Sequence, residues 1–264
     1  MNRTPIFVIT LEHRKDRQDA ATTSLNQAGI SFQFSVSSRS EQLEKFESMP
    51  KATQIEVAIW GAHVKALKSM LETESEWALI LEDDFVIQEL GFDLLKNQKA
   101  IDIILESIGV HYSILQIGFL ENSKRRKLMI LPAQAFKLFF RFNRFDLRSY
   151  LNNFRLLGFK NGSNLNKILE ENGLSKTKVL YGLRLATHAY FINRDAAAVI
   201  IDLFEKRLLN PNFMPIDLYL LNMTKNYEKT SVMHAARLSG LLVRQGLSTS
   251  DNPVKTSFAT FERK

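Results

Sequence analysis

The chain has 264 residues, 45% hydrophobic and 24% charged, a composition that is ordinary for a globular protein of one large domain or two small ones. It contains no cysteine, which excludes a disulfide framework, a thiolate zinc site and a cysteine nucleophile, and which is typical of a reducing cytoplasm. The formal net charge of +7 indicates an anionic partner such as a nucleotide, a nucleic acid or a lipid surface.

Apolar and amphipathic runs then predict alternating strands and helices along the chain. In order, strands are expected over 6–11, 30–36, 78–87, 112–118, 187–193, 232–236 and 241–243, and helices over 16–28, 54–72, 91–107, 195–209 and from 215 onward. Asp16 and Asp195 are expected as N-caps, and Gly29 is expected to end the first helix. The opening strand, helix and strand predict a parallel pair with a right-handed crossover, and therefore an α/β fold.

The stretch 78–87 carries the strongest chemical signal, because the consecutive carboxylates Glu82, Asp83 and Asp84 interrupt an apolar run. Alternation along a strand predicts that Glu82 and Asp84 share one face and that Asp83 lies on the other. Adjacent anions are costly to desolvate unless water, an arginine or a divalent cation compensates them. At the carboxyl end of a strand in an α/β sheet, the pattern indicates Mg²⁺ or Mn²⁺ with a nucleotide phosphate. An acidic turn that merely ends a strand is the alternative.

Two other features are open to both structural and functional interpretation. The basic turn that contains Arg14, Lys15 and Arg17 could contact a nucleotide phosphate or base, or it could be solvated. His63 lies inside the helix expected over 54–72, where a histidine is more often a hydrogen-bonded structural residue than a ligand.

Residues 121–160 differ from the rest of the chain in composition. Between Lys124 and Arg148, eight basic residues and one acid give a net charge of +7, equal to that of the whole chain, and five phenylalanines are interleaved with them. The first interpretation is a helical insertion whose phenylalanines pack on the core. The second is a membrane-surface element, and the third is a platform for single-stranded nucleic acid.

Four blocks of the sequence resemble glycosyltransferase family 25, the bacterial lipooligosaccharide galactosyltransferases and their relatives. The blocks are Val8-Ile-Thr-Leu-Glu-His-Arg-Lys-Asp-Arg17, Glu56–His63 together with the acidic stretch Ala78–Val86, Thr187-His-Ala-Tyr-Phe-Ile-Asn-Arg194, and Pro215-Ile-Asp-Leu-Tyr-Leu220 followed by Arg244-Gln-Gly-Leu-Ser248. They occur in one order at both ends and in the centre of the chain, which makes the combination specific.

The resemblance implies a GT-A-like fold, with a mixed and mainly parallel sheet flanked by helices, in a single domain over 1–264. A helical basic and aromatic insertion is expected at about 121–180. The implied activity is the metal-dependent transfer of a hexose, galactose or else glucose, from a UDP-sugar to a lipooligosaccharide or other glycan. A non-catalytic module that binds an anionic membrane or nucleic acid through 124–148 is the alternative, and a metal-dependent phosphohydrolase is a third.

The resemblance also implies roles for individual residues. Asp84 and Glu82 would hold Mn²⁺ or Mg²⁺. The catalytic candidates are Asp217, as the base, and Asp83, and the donor is expected to contact a set that also includes both metal ligands: Thr10, Arg17, Glu82, Asp84, His188 and Gln245. The expected partners are a UDP-hexose and a lipid-linked or oligosaccharide acceptor, with no nucleic acid. The expected location is the cytoplasm, with peripheral contact at the inner membrane as a further expectation.

Overall fold

The computed structural model describes residues 3–37, 51–109, 112–118, 163–174, 179–181, 183, 188–207, 216–217, 219–220, 235–238 and 242–245. The basic and aromatic segment 124–148 lies outside these residues, as do residues 121–162 and 175–178 of the expected insertion.

Strands and helices alternate through the described part of the chain. They are β1 (Ile6–Leu11), α1 (Lys15–Gln27), β2 (Gln33–Ser37), α2 (Lys51–Leu71), β3 (Trp77–Glu82), β4 (Phe85–Ile87), α3 (Glu89–Lys96), α4 (Gln98–Gly109), β5 (Ile114–Gly118), α5 (Ser163–Glu171), β6 (Val179–Tyr181), β7 (Ala189–Asn193), α6 (Arg194–Arg207), β8 (Ala235–Leu238) and β9 (Val243–Gln245). None of the described helices is both long and apolar enough to cross a bilayer.

The described strands form one mixed sheet in the order β2-β1-β3-β7-β5-β8-β6, with β9 pairing β4 and β5. The first strands, β2, β1 and β3, run parallel, which confirms the expected opening unit. The next strand in the sheet, β7, is antiparallel to both β3 and β5. The expected mixed α/β sheet with flanking helices is therefore confirmed. Its antiparallel pairings are those of β7 with β3 and β5, of β4 with β9 and of β6 with β8.

Helices cover both faces of the sheet, because successive strand residues point to opposite sides. On one face, Ile6 and Val8 of β1 pack in a core with α1, α3, α4 and α5. On the other face, Phe7 and Ile9 pack in a second core with α2 and α6. We call these the α1 side and the α2 side of the sheet.

The expected N-caps of two helices are wrong. Arg14 occupies the N-cap of α1, and Asp16 lies in the first turn, where its carboxylate accepts hydrogen bonds from Arg14 Nε at 3.0 Å and Nη2 at 2.9 Å. These bonds hold the pKa of Asp16 at about 2, below its usual range. Asn193 rather than Asp195 caps α6, since its Oδ1 accepts a hydrogen bond from the Ala196 amide at 3.0 Å. The side chain of Asn193, one residue before α6, thus makes the capping hydrogen bond that was expected of Asp195.

Two continuous elements expected from the sequence are broken in the structure. Asn97, with φ −96° and ψ 80°, separates α3 from α4, and its Oδ1 caps the new helix by accepting the Ala100 amide at 3.1 Å. The expected strand over 78–87 is interrupted by a turn at Asp83 and Asp84, so that β3 ends at Glu82. The following β4 pairs with β9 instead of extending the central ladder. Local apolar periodicity carried no signal for either break, because a capping side chain and a distant strand determine them.

Candidate functional site

The site lies at the carboxyl end of β3, in the centre of the sheet. Residues 78–81 are fully buried between the two helical layers, and the next residue, Glu82, is the last of the strand. Asp83 and Asp84 form the turn that follows. The three carboxylates therefore emerge where ligands bind in open α/β sheets.

Asp83 is held by residues of β1 and α1. Thr10 Oγ1 donates a hydrogen bond to Asp83 Oδ2 at 2.6 Å, and Arg17 Nη1 donates to Asp83 Oδ1 at 2.9 Å. The side chains of Arg17 and Asp83 are only 11% and 8% exposed. Burial raises the pKa of the Asp83 carboxyl above its usual range, and the bonds from Thr10 and Arg17 act in the opposite direction. Arg17 Nη1 also lies 3.9 Å from Asp84 Oδ2, so the same guanidinium is shared by two carboxylates.

Glu82 is paired with His188, which directly precedes β7. The Glu82 amide donates to the His188 carbonyl oxygen at 2.9 Å, and the side chains meet at 2.8 Å between His188 Nδ1 and Glu82 Oε2. His188 is completely buried, and its Nε2 has no hydrogen-bond partner among the residues that the structure describes. With the ring proton on Nε2, Nδ1 would present its lone pair beside Glu82 Oε2, so that the imidazole and the carboxylate could share one cation.

Glu82, Asp84 and His188 together form a group that could hold a metal ion. One ligand atom from each residue lies within 4.8 Å of the others, and Asp84 and His188 are buried. Two carboxylates and an imidazole are a ligand set that suits a divalent cation such as Mn²⁺. The expected grouping of Glu82 with Asp84 is thus found, but it arises from the turn after β3 and not from alternation along a longer strand.

Two other residues predicted from the sequence, Gln245 and Asp217, lie outside this group. Gln245 ends β9 and is the cross-strand neighbour of Phe85, the residue after Asp84. Asp217 is helical, and Tyr219 packs on Trp60 of α2, with ring centroids 5.0 Å apart. Asp217 is partly exposed and is not a member of the group of three.

Sequence reasoning missed one buried polar contact beneath the site. His63 of α2, for which the structural interpretation was favoured, meets Tyr190 of β7 at 2.8 Å between Nδ1 and the phenol oxygen. Both residues are at most 1% exposed. The partners are 127 positions apart, so only the pairing of a helix with a distant strand reveals the contact.

The sequence matches glycosyltransferase family 25 (LPS biosynthesis protein) over residues 3–220. The chain belongs to glycosyltransferase family 25. A comparison with curated proteins finds no match. Among solved structures, the chain is similar to a glycosyltransferase involved in the glycosylation of the major capsid of PBCV-1, with 12% sequence identity and a TM-score of 0.39, over 97% of this chain and 99% of that chain.

The family match confirms the resemblance found in the sequence and makes the protein a glycosyltransferase. It spans the first three blocks and Asp217 of the fourth, together with every residue of the Glu82, Asp84 and His188 group. Gln245 lies beyond the matched residues, although β9 carries it to the strand next to the acidic turn.

Proposed function

We propose that this family 25 glycosyltransferase moves a hexose, galactose or else glucose, from a UDP-sugar to a lipooligosaccharide or other glycan acceptor, with Mn²⁺ or Mg²⁺ as cofactor. The observation that carries the proposal is the group formed by Glu82, Asp84 and His188 at the carboxyl end of β3. A UDP-sugar donor presents a diphosphate, and a divalent cation is the ordinary means of binding one beside carboxylates.

In this proposal Asp84, Glu82 and His188 hold the cation. The cation would supply Lewis-acid stabilisation of the negative charge that develops on the departing diphosphate. The imidazole of His188 favours Mn²⁺ over Mg²⁺, because Mg²⁺ prefers an octahedral shell of oxygen ligands.

Arg17, Thr10 and Asp83 act as a unit on the other side of the acidic turn. Each carboxylate oxygen of Asp83 accepts a hydrogen bond from within the protein. These bonds make Asp83 better suited to hold Arg17 than to move a proton. The guanidinium, fixed in this way close to Asp84, contributes a positive charge at the edge where the diphosphate would bind.

Asp217 is the proposed general base for the acceptor hydroxyl if the transfer inverts configuration. The residue is partly exposed, which is compatible with contact to an acceptor. His188 and Gln245 remain proposed donor contacts. A single domain over 1–264 and a peripheral position at the inner face of the membrane, where a lipid-linked acceptor would lie, complete the proposal.

Calorimetric titration of UDP tests the site directly. Wild-type protein is expected to bind UDP in the presence of Mn²⁺ and much more weakly in its absence. Asp84→Asn, which keeps the side-chain shape but removes the charge, should weaken the metal-dependent binding on the order of 100-fold, because a direct ligand matters at least as much as an outer one.

Two variants serve as controls for that titration. Asp93→Asn removes an exposed carboxylate on α3 and should bind UDP like the wild type. Asp217→Asn should bind UDP like the wild type but should no longer transfer the sugar to the acceptor. A folded wild-type protein that binds no UDP with either cation would rule out the proposed donor, and binding that survives Asp84→Asn would rule out the proposed metal site.

A further inference from the structure

A layer of buried polar residues lies directly beneath the proposed metal site, on the α2 side of the sheet. It comprises Gln116 of β5, Tyr190 of β7 and His63 of α2, each at most 1% exposed. The surrounding core on this side is apolar and includes Ile80 and Ile192. Polar groups are retained in such a core at a cost in desolvation, so their arrangement calls for an explanation.

The geometry connects this layer to the site through β7. Tyr190 is the cross-strand neighbour of Ile80 in β3 and of Gln116 in β5. It lies two residues after His188, so the two side chains point to the same side of the sheet, roughly 7 Å apart along the strand. The Tyr190 ring stacks on the His63 ring with centroids 5.8 Å apart, and its hydroxyl meets His63 Nδ1 at 2.8 Å.

Tyr190 is buried and lies close to the negative charge of Glu82. Burial raises the pKa of Tyr190 far above its usual range, and the negative charge of Glu82 raises it further. The described polar contact of its hydroxyl is the one with His63.

We infer that His63 and Tyr190 are positioning residues for the metal site: their hydrogen bond fixes β7 against α2 and thereby sets where His188 meets Glu82. The inference rests on the proposed function, because it assigns the pair a role in the binding of the cation. His188 follows the position of β7 closely, since its carbonyl accepts the Glu82 amide and its ring bonds the Glu82 carboxylate. A small displacement of β7 would therefore alter both bonds.

The test is Tyr190→Phe, which removes one oxygen and leaves the ring in place. Metal-free protein labelled with ¹⁵N in its five histidines reports the His188 ring, which His188→Gln would assign. Titration of Mn²⁺ alone, followed by the electron paramagnetic resonance of the free ion, measures affinity. We expect Tyr190→Phe to shift the His188 ring signals and to weaken Mn²⁺ binding about tenfold, as is typical for residues that orient a ligand.

A matched control and a double variant separate positioning from general stability. Tyr112→Phe removes a hydroxyl next to the core on the α1 side and should change neither readout. His63→Leu should weaken Mn²⁺ binding as Tyr190→Phe does. Both substitutions remove the same hydrogen bond. The double variant should therefore bind Mn²⁺ about tenfold more weakly than the wild type, and not about 100-fold more weakly.

The outcomes distinguish this inference from the proposed function. Unchanged His188 signals and Mn²⁺ affinity in Tyr190→Phe would overturn the positioning role, as would additive losses in the double variant. If the wild type binds no Mn²⁺, the proposed metal site fails and so does the role assigned to the pair. In that case, a shift of the His188 signals in Tyr190→Phe would establish only the structural coupling.

Discussion

The ion pair between Arg17 and Asp83 shows how burial determines the weight of a single contact. Its nitrogen and oxygen are 2.9 Å apart and the side chains are 11% and 8% exposed, whereas the pair of Lys68 and Glu205, at 2.8 Å, is 54% and 56% exposed. The exposed pair is solvated in the folded and unfolded chain alike, so its net contribution is small. The buried pair leaves an uncompensated charge if one partner is removed.

We therefore expect Arg17→Met to lower the free energy of unfolding by about 3–5 kcal/mol. The double variant Arg17→Met/Asp83→Leu should recover only part of that loss, because the buried Asp84 still loses the guanidinium that it shared with Asp83. Urea denaturation of the two variants measures both values.

The exposed pair supplies the comparison for this cycle. Lys68→Met should cost less than about 1 kcal/mol. Similar costs for Lys68→Met and Arg17→Met would show that water reaches the Arg17 and Asp83 pair.

At the level of residues, the sequence predicted those members of the site that lie in distinctive local patterns. Glu82 and Asp84 were evident from an acidic run after an apolar strand, and the family blocks added His188. The contact between Thr10 and Asp83 and that between His63 and Tyr190 were not predicted as pairs. Thr10 and Asp83 are 73 positions apart, and His63 and Tyr190 are 127 positions apart. No local sequence pattern encodes the distance between two such side chains.

Among the elements, α2 has an unusual C-terminal cap. The Arg194 guanidinium, at the start of α6, donates from Nη1 to the Thr73 carbonyl oxygen at 2.6 Å and from Nη2 to that of Leu71 at 2.9 Å. The last carbonyl groups of a helix have no partner within it, and a positive charge there also compensates the helix dipole. Arg194 thus ties the end of α2 to the junction of β7 and α6, which gives the last residue of the third sequence block a structural role.

We expect Arg194→Lys to lower the free energy of unfolding by about 1–3 kcal/mol, because an ammonium group cannot reproduce the planar two-nitrogen contact. Thermal and urea unfolding would measure the loss. A cost below about 0.5 kcal/mol would show that one positive charge suffices and that the planar geometry does not matter.

The sequence predicted most reliably the strands whose residues are buried on both faces of the sheet. The apolar runs of β1, β3, β5 and β7 mark strands that are covered on both faces. The ends of β1, β5 and β7 were expected to within two residues, whereas β3 ends five residues before the end of the expected strand. The errors lie at ends and breaks, at Asn97, at Asn193 and at the turn after Glu82. Those positions depend on one capping side chain or on the pairing of β4 with β9, to which hydrophobic periodicity is insensitive.

For the molecule as a whole, one sheet separates two apolar cores. Trp77 belongs to the core on the α1 side and Trp60 to the core on the α2 side, and the chain has no other tryptophan. Because every central strand contributes residues to both cores, loss of one core should expose the other. This arrangement supports the proposal of a single domain.

Variants with one tryptophan test this cooperativity. In Trp60→Phe, fluorescence reports Trp77, and in Trp77→Phe it reports Trp60. Within each variant, we expect the fluorescence midpoint in urea to coincide with the midpoint measured by circular dichroism, as a single cooperative transition requires. Midpoints that differ within a variant would show that the two sides of the sheet unfold separately.

The position of β7 between β3 and β5 has a consequence for the nascent chain. Ribosomes make β1, α1, β2, α2 and β3 first, and these three strands pair among themselves, so Thr10 and Arg17 are already available when Asp83 emerges. His188 follows Glu82 by 106 residues. Until β7 has been synthesised, one edge of β3 stays open and the acidic turn is neutralised from the α1 side alone. Completion of the site is thus a late event in synthesis, and it coincides with closure of the centre of the sheet.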